Sequence, residues 1–276
     1  MPVKASLAER LTTRHLSMEK LHPNPDDEFA FPDIGPNYQI ISKYVEDIMT
    51  AYRMKLEPFD DDPIIVEKLR PEGYLILNGH HRWAAAMRCQ IKRVPIKIIN
   101  CATESDIKTI LEKSQHDKRV AIDLDEVIFR DPDYKYLEKK AFNFPMSLRF
   151  KQRIRLGIPA LFYYLVKHGY DIWVYAADFY SIDDIQKFFK AYSVHVDGII
   201  TGVGKLEQYH SDSEKRMREL INNKYQMTLH IDNETILETH NNTKEFEEHA
   251  IVSSEEDWSK TAIAIIEEIE NRAGKR

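Results

Sequence analysis

The chain has 276 residues, 43% hydrophobic and 30% charged, with a formal net charge of −6 and two cysteines. That balance describes a globular protein of one large or two ordinary domains and excludes wholesale disorder. Two cysteines, Cys89 and Cys101, are too few for a disulfide framework and lack metal-ligand spacing. The acidic surplus gives no global pull toward nucleic acid, which leaves only a local basic patch for that role. No apolar run approaches the length of a membrane span, and the opening Met-Pro-Val-Lys-Ala-Ser lacks a signal-peptide core, so a reducing cytoplasm is the expected compartment.

In chain order, Leu16 begins a short strand that ends in the proline-punctuated turn Leu-His-Pro-Asn-Pro. An acidic loop follows, and then a helix over Gln39–Tyr52 with Ile40, Ile41, Tyr44, Val45, Ile48 and Met49 on its apolar face. A strand at Pro63–Glu67 turns at Pro71-Glu-Gly73 into a second, Tyr74–Leu77, which runs into Asn78-Gly79-His80-His81-Arg82. The helix from Trp83 and the strand Val94–Ile99 complete this half. The corner at Gly79 carries chemistry. Glycine permits a tight turn, and the first amides of the next helix favour an anion, phosphate above all. Arg82 adds a planar donor fork, and His80 and His81 add further donors. The plainer alternative is that His81 and Arg82 cap the helix or pair with the acidic loop.

The order of these elements, with Leu-His-Pro-Asn-Pro, Pro-Ile-Ile-Val and Gly-His-His-Arg-Trp-Ala-Ala-Ala followed by Val-Pro-Ile, resembles the ParB/sulfiredoxin-like superfamily. The resemblance covers about a third of the chain, from Leu16 to Asn100. It implies an α+β domain over residues 1–112 that binds ATP, ADP or CTP through Gly79, His80, His81 and Arg82. Sulfiredoxins carry a reactive cysteine where His80 stands, so that activity is not expected, and the Gly-His-His-Arg form looks like the free-serine-kinase branch. There an acidic residue after the first strand acts as base, a role open to Asp26, Asp27 and Glu28. Partition proteins add a helix-turn-helix module next, and none follows here.

After a polar stretch over residues 101–118, strands are expected at 119–123, 171–176, 196–201, 227–232 and 249–252. Helices are expected at about 159–168, 182–192, 212–224 and 255–271. That alternation predicts a parallel sheet with its site beyond the carboxyl ends of the strands. The first strand ends in Asp123 and Asp125, which an extended chain would point the same way. The fourth ends in Asp232-Asn233-Glu234, so three carboxylates would converge on one edge. Lys205 and Lys215 precede that strand. Oxygen ligands beside a cation suit Mg²⁺ and phosphate.

Residues 119–276, in a domain expected over 113–276, resemble the haloacid dehalogenase (HAD) superfamily, a Rossmann-like α/β fold. The matching segments are Ile-Asp123-Leu-Asp125-Glu-Val, Val-Asp-Gly-Ile-Ile-Thr-Gly and Leu-His-Ile-Asp232-Asn-Glu. The resemblance implies that Asp123 is a nucleophile and Asp125 a general acid/base. Asp232 completes the Mg²⁺ site with Asn233 or Glu234 in support, and Lys215 or Lys205 steadies the phosphoaspartate. Lys215 is preferred because it opens the helix leading into the fourth strand. One departure stands out. The usual Ser or Thr ending the second strand is replaced by Ala176-Ala177, and Thr201, with Gly202 beside it, or Ser181 would have to hold the phosphate. The 28 residues from Phe129 to Leu156 are too short for a large cap, and their basic residues Arg149, Lys151, Arg153 and Arg155 read as a solvated helix face.

Two functions follow. One is a two-domain phosphate-handling enzyme, a kinase and phosphatase acting on a small-molecule or protein hydroxyl or phosphate. The other is a nucleotide-switched binding protein with a weakened phosphatase fold. Processing of nucleic-acid ends is a lesser alternative, and no membrane partner is expected.

Overall fold

Proline and glycine punctuate the first hundred residues, and short strands form between them. The computed structural model describes residues 1–139, 142, 150–202, 212–241, 243 and 245–273. The chain divides into two compact units, the first mainly Met1–Cys101 and the second most of the chain from Ala102 onward. No helix among the described residues is long and apolar enough to cross a membrane.

The first unit opens with helix α1 (Leu7–Thr12), capped by the Ser6 hydroxyl, which accepts the Glu9 N–H. The expected first strand is instead two, β1 (His15–Ser17) and β2 (Leu21–His22), separated by a 3₁₀ turn at Met18–Lys20. The turn reorients the chain, because β1 and β2 lie on opposite edges of the sheet. Next come α2 (Tyr38–Arg53), β3 (Ile64–Lys68), β4 (Tyr74–Asn78), α3 (His80–Arg88) and β5 (Arg93–Ile99). The strands order as β1-β5-β3-β4-β2 in a mixed sheet. Leu16, Leu21, Ile64, Val66, Ile76, Val94, Ile96 and Ile98 form its core. Helix α2 packs on α3 through Ile41, Ile48 and Ala85. The apolar face read from sequence is wider than this contact. Ile40 and Met49 remain 41% and 49% exposed, because the small Ala85 meets only a narrow stripe of α2.

The second unit begins with α4 (Glu104–Lys113), held by a capping box between Thr103 and Asp106. Strand β6 (Lys118–Asp123) ends in a π-helical turn, Leu124–Ile128, and a small ladder of β7 (Phe129–Arg130) with β8 (Arg153–Ile154) follows. Then come α5 (Ile158–Lys167), β9 (Tyr170–Ala176), α6 (Ile182–Ala191), β10 (Gly198–Thr201), α7 (Asp212–Lys224), β11 (Met227–Ile231), β12 (Thr235–His240), β13 (Phe246–Ala250) and α8 (Trp258–Ala273). The sheet runs β10-β9-β6-β11-β12-β13. Its first four strands are parallel, as the alternation predicts. The last two are antiparallel, a departure from the expected order. The three residues Asp232–Glu234 are too few for a crossover but enough for a tight turn. Trp173, Ile200, Met217, Ile221 and Tyr225 pack with Ile107 of α4.

The basic segment also departs from expectation. Arg153 lies in β8, and Arg155 is buried at 1% exposure. Arg149 and Lys205 fall outside the described residues.

Candidate functional site

Strands β6 and β11 lie side by side and parallel, with Ile122 registered on Ile231. Asp123 and Asp232, one residue further along, therefore emerge together at the carboxyl edge. Both line an open pocket of about 360 Å³ with Glu126, Tyr175, His230 and Leu237. The chain leaves the extended conformation after Asp123. Its carboxylate accepts the Glu126 N–H at 2.6 Å and so caps the π-turn. The turn, rather than an extended strand, carries Asp125, and its carboxylate is still close enough to act on that of Asp123. Asp125 also accepts the Asp178 N–H at 3.1 Å. Burial pushes the Asp123 carboxyl up, and the carboxylates of Asp125 and Glu126 add to the effect. Such a concentration of negative charge is what a hard divalent cation relieves, and the oxygen donors of Asp123 and Asp232 fit Mg²⁺.

The loop bearing Asp232 is held by Asn233. The Asn233 Oδ1 accepts Nη2 of Arg130 at 2.7 Å and Nη1 of Arg155 at 2.9 Å. Its Nδ2 donates to the Glu126 carbonyl at 3.0 Å, and its own carbonyl accepts Nε1 of Trp258 at 2.7 Å. Arg155 also stacks 4.0 Å from the Trp258 ring and pairs with Glu255 at 2.6 Å. An amide oxygen has two lone pairs, and the two arginines take both. Asn233 therefore ties the turn after β6 to the turn after β11, and its amide oxygen faces guanidinium groups where the sequence suggested a cation. Asn233→Leu strips acceptors from a buried guanidinium. It is expected to cost about 3 kcal/mol or more, the sum of two charged hydrogen bonds, read by chemical denaturation of the full chain.

The remaining residues of this group are spread along the same edge. Ala176, which ends β9, is 1% exposed, whereas Ala177 is exposed. Thr201 pairs in register with Ala176, so it does reach the carboxyl edge. The Gly202 N–H already donates to the Asp178 carbonyl at 3.0 Å. Lys215 lies exposed in the first turn of α7 and does not line the pocket. Sequence reasoning missed Glu126, Tyr175, His230 and the two arginines. Only His230 left a trace, as the one ionisable residue in β11. Tyr175 accepts a hydrogen bond at 3.0 Å from Arg119, which is buried and also held by Thr228 and Asn222.

In the first unit, α3 starts directly after Gly79, so His80, His81 and Arg82 form its first turn. Gly79 has φ +98°, and no side chain caps the helix. A Cβ at Gly79 would meet Nη2 of Arg82 at 2.9 Å, so the turn and the guanidinium are in close contact. Arg82 is 4% exposed. It donates to the Asp62 carbonyl at 2.6 Å and to Oδ1 of Asn78 at 2.8 Å, and pairs with the Asp62 carboxylate. Both histidines act as acceptors: Nε2 of His80 takes the Asn24 N–H and Nε2 of His81 the Asn37 N–H, each at 3.0 Å. Nδ1 of His80 faces Asp27 at 3.4 Å, and Phe29 stacks on its ring. Burial pulls the His80 pKa down against the pull of Asp27, which favours the neutral acceptor. Asp27 caps the 3₁₀ turn Glu28–Ala30, while Asp26 and Glu28 are exposed.

Residues 39–115 match the family model of the ParB N-terminal domain. A curated ATP-dependent L-serine kinase from Staphylothermus marinus is 37% identical over 71 residues, which are 25% of this chain and 27% of the kinase. The chain thus matches about a quarter of that relative's length. Among solved structures, the C-terminally truncated chromosome-partitioning protein ParB from Caulobacter crescentus, complexed with CTP-gamma-S, aligns at 25% identity with a TM-score of 0.26. That alignment covers 37% of this chain and 53% of that one. The stretch from α2 through α4 is therefore ParB-like.

Proposed function

We propose that the chain handles phosphate in both units: the first binds a nucleotide and transfers phosphate to a hydroxyl, and the second removes phosphate through an Asp123 phosphoenzyme. The observation that carries the proposal is the pairing of Asp123 with Asp232 across one pocket at the carboxyl edge of adjacent parallel strands. The parallel order β10-β9-β6-β11 supports a HAD-like assignment of the second unit. A bound Mg²⁺ would supply charge neutralisation at the attacking carboxylate and the phosphoryl oxygens. Asp123 and Asp232 would hold it.

The chemistry assigned to the chain's own groups balances. A carboxylate oxygen of Asp123 bonds to phosphorus as the bond to the leaving oxygen breaks, and Asp125 gives that oxygen a proton. Asp125 then takes a proton from water, whose oxygen attacks phosphorus and releases phosphate and the free Asp123 carboxylate. Asn233, through Arg130 and the Glu126 carbonyl, fixes the spacing of the two carboxylate-bearing turns. Thr201, at the same carboxyl edge, is assigned to the phosphoryl oxygens, and Lys215, which lies outside the pocket, is given no role in the step.

For the first unit, similarity to an ATP-dependent L-serine kinase supports ATP as ligand and a small hydroxy compound as acceptor. Gly79, the amides opening α3 and Arg82 would receive the phosphates. Asp27 is committed to His80 and to the Phe29 amide, so Glu28, beside the stacked Phe29, is the base we assign. The test is incubation of the full chain with Mg²⁺, each of ATP, ADP and CTP, and L-serine among other hydroxy compounds, followed by mass spectrometry. A nucleotide-dependent gain of phosphate, lost in Arg82→Ala, supports the first half of the proposal. No phosphorylated product with any of the three nucleotides would remove it.

One observation favours a nucleotide-switched binding protein instead, the Ala176-Ala177 pair where a hydroxyl is expected. Ala177→Ser separates the two readings. Ala177 is exposed at the edge, so a serine there meets no packing barrier. A donor placed where charge develops lowers the barrier. The variant is expected to turn over an aryl phosphate about tenfold faster, short of the ~10²-fold of a native oxyanion donor. No change would mean that Thr201 already fills the role, and no turnover in either protein would favour the binding-protein reading.

A further inference from the structure

We propose that the hairpin β12–β13 carries a binding site for a divalent transition metal, built from Glu238, His240, Glu247 and His249. Each strand offers the same short pattern, Glu-x-His: Glu238-Thr239-His240 on β12 and Glu247-Glu248-His249 on β13. Residues two apart on a strand share a face, and so do residues directly opposite in an antiparallel pair. The register sets Glu238 opposite Glu247 and Ile236 opposite His249. All four side chains therefore belong to one face.

The donor atoms are close. Oε1 of Glu238 lies 2.9 Å from Nε2 of His240, and its Oε2 lies 3.7 Å from Nε2 of His249. One donor atom each from Glu238, Glu247 and His249 lies within 4.8 Å of the others, the one such group of His, Cys, Asp or Glu among the described residues. Donors at zinc-ligand bond lengths sit about 3.4 Å apart around a tetrahedral ion, a value the two distances from Glu238, 2.9 and 3.7 Å, bracket; His240 joins the other three through Glu238.

Two further observations ask for a ligand. Like charges directly opposite in a sheet repel, yet Glu238 is only 8% exposed opposite Glu247. Arg272 reaches Glu247 at 3.0 Å and answers part of that charge. It gives His249 nothing, and Nε2 of His249 is sealed from solvent with no hydrogen-bond partner. A buried polar atom left so is costly unless something takes it up. Two imidazoles with two carboxylates suit zinc, cobalt or nickel better than magnesium. The site is separate from the Asp123–Asp232 pocket, because Thr235 and Leu237, which line that pocket, alternate with Glu238 and His240 on β12. Bound metal would staple β13, an edge strand with mostly exposed side chains, to its neighbour.

The experiment is titration of the full chain with Co²⁺ in excess Mg²⁺, which fills sites made of oxygen alone. The visible absorption of four-coordinate cobalt and the unfolding temperature are both read. A single equivalent is expected to produce the absorption and to raise the unfolding temperature. His249→Ala and Glu238→Gln should each weaken Co²⁺ binding by roughly tenfold or more. His195→Ala, at an exposed histidine bonded to Asp197, should change neither signal. Should Glu238→Gln fail to fold, His240→Ala at an exposed ring replaces it. A wild-type protein without the absorption, or His249→Ala with the full absorption, overturns the site.

Discussion

Asp123→Asn is expected to abolish Mg²⁺-dependent hydrolysis of an aryl phosphate and, at neutral pH, to make the protein more stable. The loss of activity follows from the chemistry proposed, since an amide cannot form the acyl phosphate. A drop of about 10³-fold or more is the scale for removing a nucleophile. The gain in stability follows from the site itself. The Asp123 carboxyl is pushed above its ordinary value of 3.8 by burial and by Asp125 and Glu126. A raised pKa in the folded state means that the folded chain holds its proton more tightly than the unfolded one. The associated stability is fully present below about pH 3.8 and is lost as pH rises through the raised value. The asparagine carries no charge to lose it, and its Oδ1 can still accept the Glu126 N–H. Thermal unfolding should therefore show the variant above wild type at pH 7, by about 2–4 °C for each kcal/mol recovered, with the gap closing at acid pH. Mg²⁺ should raise the unfolding temperature of wild type and not of the variant. Equal stability at all pH values, with Mg²⁺ without effect on either protein, would remove the carboxylate site from consideration.

The pairing of Asp123 and Asp232 was legible because each carboxylate stops an apolar run, and runs separated by helices make parallel neighbours. What holds the pair in place was not. Asn233 meets Arg130, Arg155, Glu126 and Trp258, residues up to 107 positions away in the chain, and no local pattern announces such a convergence. Strand β12 escaped notice for a related reason. Burial alternates along Thr-Ile-Leu-Glu-Thr-His, but residue type does not, and its inward positions include Glu238, which the sequence marks as an exposed residue. The same holds at the other corner. Gly79 and the start of α3 could be read from glycine and helix periodicity, yet a histidine does not state whether it donates or accepts. His80 and His81 both accept backbone N–H groups, a choice set by the loop folded over them.

Arg82→Ala is expected to weaken nucleotide binding by about 1.5–3 kcal/mol, the range for charged hydrogen bonds, and to destabilise the first unit by a similar amount. The guanidinium is nearly buried and joins the end of β4, through Asn78, to the loop before β3, through Asp62. Its removal therefore loosens two segments at once. The two effects are separable because the partners differ in exposure. The Asp62 carboxylate is 70% exposed while the Arg82 side chain is 5% exposed, so the carboxylate can move into water at little cost and yield its place to a phosphate. Asp62→Asn should then keep the fold, since the carbonyl bond to Arg82 remains, and should bind nucleotide at least as tightly as wild type. Arg82→Lys keeps the charge but loses the planar fork, and should recover only part of the affinity. Calorimetry of the full chain with ATP, ADP, CTP and GTP, paired with denaturation curves for each variant, measures both effects. If Arg82→Ala loses stability while its nucleotide affinity matches wild type, the Gly-His-His-Arg turn is a structural clamp on the start of α3, and the nucleotide site belongs elsewhere.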